Sequence, residues 1–156
     1  MMQKTDFTVL RADSDTNADI FHKLSELEAQ TITDGWSANS FQSEALKENG
    51  YVLYIEYNNK IVSLLTAYTA ADEADITNVA VDVSMRRNGL ARTILQEFEK
   101  ILPPEIKEIF LEVRSSNEPA INLYTSNGFE RISVRKRFYS NPVEDAIIMK
   151  KKVGEN

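Results

Sequence analysis

Cysteine is absent from this 156-residue chain, and histidine occurs once, as His22. Without cysteine there is no disulfide, no thiolate metal site and no cysteine nucleophile. With a single histidine, a histidine-built metal centre is not expected either, so no metal is assigned. Apolar runs are short, and none approaches the roughly eighteen residues of a membrane-spanning helix. The opening MMQKTDFTVLRADSDT has neither the apolar stretch of a secretory signal nor the acid-poor composition of a transit peptide. Internal repeats, low-complexity segments and linkers are missing as well. These absences lead to the expectation of one domain over residues 1–156, cytoplasmic and without a membrane partner.

An excess of positive charge is also lacking. Eighteen Lys and Arg face 24 Asp and Glu, for a net charge of −6 and a pI of about 4.9. That balance argues against a general nucleic-acid binder. Its distribution is uneven: residues 1–85 carry 14 acidic and 5 basic residues, a net −9, and residues 86–156 carry 10 and 13, a net +3. Two ligands of opposite sign would suit such a chain, and so would chance patterning of a solvated surface.

What is present is a regular alternation of strand-like and helix-like segments. FTVLR (7–11) alternates as a short strand. DTNADIFHKLSELEAQTI places Ile20, Leu24 and Leu27 at helical spacing, with Asp15 or Thr16 as the expected N-cap and His22 on the exposed side. A loop through Gly35 and Trp36 leads to a short helix starting near Ser37 or Asn39. YVLYIEY (51–57) and KIVSLLTAYTA (60–70) read as strands joined by an Asn58-Asn59 hairpin turn, and ADITNVAVD (74–82) as a third. A helix from Leu90 to about Ile101 stops before Pro103-Pro104. KEIFLEVR (107–114) is a strand, Asn117 to Ser126 a helix capped by Ser116 or Asn117 with Gly128 as its C′ residue, and FERISVRKRFY and EDAIIMKKK are two closing strands. The expected class is α/β (α+β): a mixed six- to seven-stranded sheet flanked by about four helices.

The most informative stretch is VSMRRNGLARTILQEF (83–98). Asn88-Gly89 alone would fit a hairpin turn. Leu90, Ala91, Ile94, Leu95 and Phe98, however, recur with a period near 3.6, so the order is strand, loop, helix with glycine at the entry. Amides at such an entry lack intrahelical partners and attract anions. Arg86, Arg87 and Arg92 add positive charge there. The Walker loop and the three-glycine dinucleotide fingerprint do not match.

ITNVAVDVSMRRNGLARTIL resembles the acetyl-coenzyme A site of the GNAT superfamily of N-acetyltransferases. The family motif Gln/Arg-x-x-Gly-x-Gly/Ala is met by Arg86, Gly89 and Ala91. FLEVRSSNEPAINLYTSNGFERISVRKRFYSNPVEDAIIMKK is similar to the RimI-like branch, the ribosomal-protein-alanine N-acetyltransferases. The resemblance implies a GNAT fold, with acetyl-CoA as co-substrate and a direct attack in a ternary complex. Position by position it implies that the backbone of Val79, Ala80 and Val81 meets the pantetheine arm and the acetyl carbonyl. Arg86, Arg87, Asn88, Gly89, Leu90, Ala91 and Arg92 would hold the pyrophosphate, and Asn117 would hydrogen-bond the coenzyme. Glu112 matches the family's general base and Tyr124 its general acid, while Trp36 and Tyr139 would line the acceptor groove. The implied acceptor is a protein N-terminus, the alanine α-amine of a basic ribosomal protein.

Each position also has a purely structural reading. Glu112 alternates with Leu111 and Val113 and could be a solvated strand residue; Tyr124 could be a core aromatic with a wet hydroxyl, Asn117 a plain helix cap, and Arg86 a surface charge. A GNAT enzyme for a small-molecule amine or a lysine side chain, and a non-catalytic acetyl-CoA sensor, remain open beside the N-terminal acetyltransferase.

Overall fold

The computed structural model describes residues 7–31 and 35–154. The chain forms two compact units: one combines residues up to Tyr68 with Asn78–Leu102, the other Thr69–Thr77 with Pro103 onwards. Among the described residues, seven strands in the order β1-β2-β3-β4-β5-β7-β6 and four α-helices make up the mixed α/β architecture.

In the first unit, β1 (Val9–Arg11) pairs antiparallel with β2 (Gly50–Tyr57), and β2 with β3 (Lys60–Ala70). Asn58 and Asn59 both take positive φ, 52° and 61°, as a two-residue type I′ turn requires. β2 and β3 are buried almost throughout, which is why they read as continuous apolar runs rather than an alternation. Helix α1 (Ala18–Ala29) packs Phe21, Leu24 and Leu27 into a core with Phe41, Val52, Ile61 and Leu64. Each such side chain contributes about 1.5–3 kcal/mol by leaving water. The α1 cap is Asn17, not Asp15 or Thr16; its Oδ1 accepts from the Asp19 N–H at 2.9 Å. Thr16 instead closes a local turn with Asp13. Helix α2 (Ala38–Leu46) is capped by Ser37. Gly50 is obligatory because a Cβ there would lie 2.1 Å from the Glu44 carbonyl oxygen. Helix α3 (Leu90–Ile101) buries Leu90, Ile94, Leu95 and Phe98, the face expected from their spacing, and Phe98 meets Tyr51 edge-on at 5.5 Å.

β4 (Glu73–Val81) runs through both units. In the second, its first residues pair parallel with β5 (Glu108–Arg114), from Glu73↔Glu108 to Ile76↔Leu111. Helix α4 (Glu118–Ser126) is capped by Asn117 and ends in a Schellman motif: Phe129 N–H donates to the Tyr124 carbonyl, Gly128 N–H to that of Thr125, and Gly128 has φ +95°. β6 (Glu130–Tyr139) and β7 (Glu144–Lys152) close the chain. The α4 crossover does not place β6 beside β5. β7 inserts between them, antiparallel to both, leaving β6 at the edge. β6 carries register shifts between Arg131 and Ser133 and between Arg135 and Tyr139, irregularities that interrupt edge pairing. Among the described residues, no helix is long and apolar enough to cross a membrane.

Candidate active site

The loop that enters α3 is built around one buried carboxylate. Asp82 follows β4 and is 2% exposed. Its Oδ1 accepts from the Ser84 N–H at 2.9 Å and the Ser84 hydroxyl at 2.6 Å, capping a 3₁₀ turn over Val83–Met85. Its Oδ2 lies 2.8 Å from Lys60 Nζ and accepts from Gln30 at 3.4 Å. The Lys60 ammonium and the Ser84 hydroxyl hold this carboxyl far below the usual carboxylate range, against the opposing effect of burial.

Beyond that turn, Arg87 and Gly89 take positive φ, 68° and 76°. The Asn88 amide ties the bend by donating to the carbonyls of Met85 (2.9 Å) and Arg86 (3.3 Å). Thr93 donates from both its N–H (2.9 Å) and its hydroxyl (2.8 Å) to the Gly89 carbonyl. Gly89, as N-cap, offers α3 no side-chain cap, and no acidic residue stands in the first turn. The first-turn amides thus have neither intrahelical acceptor nor carboxylate. Arg86, Arg87 and Arg92 are exposed around them, Asn88, Gly89 and Ala91 are half-buried, and Leu90 anchors the helix in the core. Such an entry suits an anion such as a pyrophosphate. On β4, Val79 and Val81 are half-buried and Ala80 is buried, with its carbonyl accepting from Ser63 Oγ at 3.1 Å.

In the second unit the structure brings Glu112, Tyr124 and Tyr139 into one electrostatic neighbourhood. Glu112 projects from the exposed face of β5 between buried Leu111 and Val113 and meets Arg135 at 3.4 Å. Tyr124 is 8% exposed on α4, edge-on to Phe129 at 5.8 Å. Burial, and then Tyr139, pushes its phenol far above the usual value, so it stays protonated. The Tyr139 phenol is also raised, by burial first and then by Glu112, with Arg114 opposing. Asn117 serves as the α4 cap, its Oδ1 accepting from the Ala120 N–H at 3.2 Å.

A sequence profile described as the acetyltransferase (GNAT) family matches residues 18–129, which include the α3 loop, Glu112 and Tyr124. The chain belongs to the GNAT family of acetyltransferases. A relative from Bacillus subtilis is 35% identical over 134 residues, 84% of this chain and 87% of its own length. The [ribosomal protein bS18]-alanine N-acetyltransferase of Escherichia coli K12 is 34% identical over 117 residues, 73% of this chain and 78% of that protein. The crystal structure of the ribosomal-protein-S18-alanine N-acetyltransferase from Escherichia coli superposes with a TM-score of 0.82 at 28% identity, over 96% of each chain.

Within this GNAT chain, Trp36 belongs to the first unit. Its ring packs on Phe41 at 5.3 Å, its backbone N–H donates to Glu28 Oε2, and its carbonyl accepts from Ser25 Oγ at 2.9 Å. Glu28 is fully buried, and burial raises its carboxyl pKa against the opposing Trp36 N–H. Three residues of this GNAT fold escaped sequence reasoning. Glu28 gives no sequence signal at all. Asp82, an Asp at the end of an apolar strand, had the signal of a turn cap. Arg114 lay inside a stretch already similar to the family, where its partners are invisible. Among the described residues, no group of three or more His, Cys, Asp or Glu side chains could hold a metal.

Proposed function

We propose that this acetyltransferase moves the acetyl group of acetyl-CoA onto the N-terminal alanine α-amine of ribosomal protein bS18, with residues 1–156 acting as one catalytic domain in the cytoplasm. The observation that carries the acceptor is the likeness to the Escherichia coli enzyme of that specificity, in sequence and over nearly the whole fold. The uncapped, arginine-ringed entry to α3 supports acetyl-CoA as donor.

In this reading Arg86, Arg87, Asn88, Gly89, Leu90, Ala91 and Arg92 hold the pyrophosphate, the β4 backbone at Val79, Ala80 and Val81 meets the pantetheine and acetyl carbonyl, and Asn117 contributes its amide. An α-amine has a pKa of about 7.7–8, against about 10.4 for lysine, so about a tenth or more is already neutral at pH 7. The neutral nitrogen adds to the thioester carbonyl, forming the C–N bond and an oxyanion, and the C–S bond breaks as the oxyanion collapses. Glu112 takes the proton that the nitrogen loses, directly or through water. An N–H of β4 faces the oxyanion. Tyr124 gives its proton to the departing sulfur. Trp36 and Tyr139 flank the acceptor peptide.

A thiol-release assay with acetyl-CoA and three acceptor classes tests this. Alanine-start bS18 peptides turn over, and lysine peptides with a blocked N-terminus and polyamines do not. Turnover of a polyamine with silence on the peptide would overturn the acceptor assignment.

A further inference from the structure

The four residues between β6 and β7, 140–143, are gripped by a single side chain from another strand. Arg114, the last residue of β5, donates from Nη2 to the Ser140 carbonyl and from Nη1 to the Pro142 carbonyl, each at 3.1 Å. Nη1 also lies 3.3 Å from Glu144 Oε1. The guanidinium carbon stands 4.4 Å from the centroid of the Tyr139 ring. One side chain therefore touches the residue before the connection, two carbonyls within it and the residue after it.

The partners are tied in turn. Glu144 Oε2 accepts from the Ser116 N–H at 2.6 Å and the Ser115 hydroxyl at 3.2 Å, on the turn that starts α4. Ser115 N–H donates to the Asp145 carbonyl at 3.1 Å. The Asp145 carboxylate accepts at 2.9 Å from the N–H of Arg137, whose φ of +52° marks the irregularity before Tyr139. The Arg114 and Glu144 side chains are 32% and 16% exposed, and the two carbonyl bonds of Arg114 add to the ion pair. The grip needs a planar fork of donors that can also stack on a ring; lysine has the charge without that geometry.

We propose that Arg114 is a positioning residue for the acceptor: it fixes Tyr139 and the 140–143 connection in the orientation that receives the incoming peptide, while Glu144 locks the same connection to the start of α4. This rests on the reading of Tyr139 as part of the acceptor wall. It assigns Arg114 no part in the chemistry, so its loss acts on peptide binding rather than on the chemical step.

The test compares the full-length wild type with Arg114→Lys and Arg114→Gln by amide hydrogen exchange and by steady-state kinetics on an alanine-start bS18 peptide. The expected result is faster exchange at 139–145 in both variants and a peptide KM raised roughly tenfold, with kcat within about twofold and the acetyl-CoA KM unchanged. Lysine rescues no better than glutamine. Wild-type exchange and KM in Arg114→Lys would overturn the proposal, as would a loss shared equally by kcat and both KM values. A wild type silent on the peptide would sink the functional reading. Exchange at 139–145 would still decide the clamp: faster in the variants supports it, unchanged overturns it.

Discussion

Lys60 Nζ lies 2.8 Å from Asp82 Oδ2, joining a lysine side chain that is 57% exposed to an aspartate side chain that is 3% exposed. The pair fixes the turn from which the α3 loop departs. Asp82→Asn removes the charge and weakens the bonds to Lys60 and Ser84, a loss of about 1.5–3 kcal/mol, and the acetyl-CoA KM rises with it. Because the folded carboxyl pKa is depressed, this stabilisation is present above the unfolded value of about 3.9 and fades as pH falls toward the folded one. Urea midpoints of wild type and variant should therefore differ at pH 7 and converge in strong acid.

Glu112 and Arg135 form a pair whose side chains are 32% and 58% exposed, worth at most about 1 kcal/mol. Glu112→Gln should leave the melting temperature nearly unchanged while lowering kcat by about 10²-fold or more. Arg135→Gln should be equally stable and retain turnover. A stable, fully active Glu112→Gln would remove this residue from the mechanism.

Tyr124→Phe keeps the ring contact with Phe129 and deletes the proton donor. Folding should survive, with kcat down by about 10²-fold. The raised phenol pKa adds a second readout. Its contribution to stability is intact below the unfolded value of about 10 and is lost as pH rises above it. The phenylalanine variant should accordingly lose less stability than wild type between neutral and strongly alkaline pH.

Gly89→Ala places a Cβ at φ +76°, a conformation costing about 1–2 kcal/mol for a side-chain-bearing residue. It also obstructs the approach of an anion to the α3 amides. The acetyl-CoA KM should rise by more than the peptide KM, which titrating each substrate separately will show.

The α3 loop was legible because a glycine, arginines and a 3.6-residue apolar period coincide over sixteen residues; the structure buries Leu90, Ile94, Leu95 and Phe98 as expected and leaves Ala91 half-buried. β7 was equally plain, Glu144–Lys152 as expected. The α1 cap was missed because Asp15, Thr16 and Asn17 are all capping types; Asp15 and Thr16 turn back to Asp13, and Asn17 caps the helix. The insertion of β7 between β5 and β6 is a long-range pairing with no local signature. The burial of Glu28 and Asp82 has no mark in the sequence, since what surrounds them, Gly35 and Trp36 in one case and Lys60 and Gln30 in the other, is brought together by folding. Arg114 shows the same limit, for its partners lie 25 to 30 residues further along the chain.

The most direct measurement is mass-spectrometric peptide mapping of unacetylated bS18 after incubation with the protein and acetyl-CoA. The account predicts one acetyl group on the N-terminal alanine, absent with the Glu112→Gln variant. Acetylation confined to lysine side chains, or an untouched bS18 beside rapid acetylation of a small amine, would contradict it.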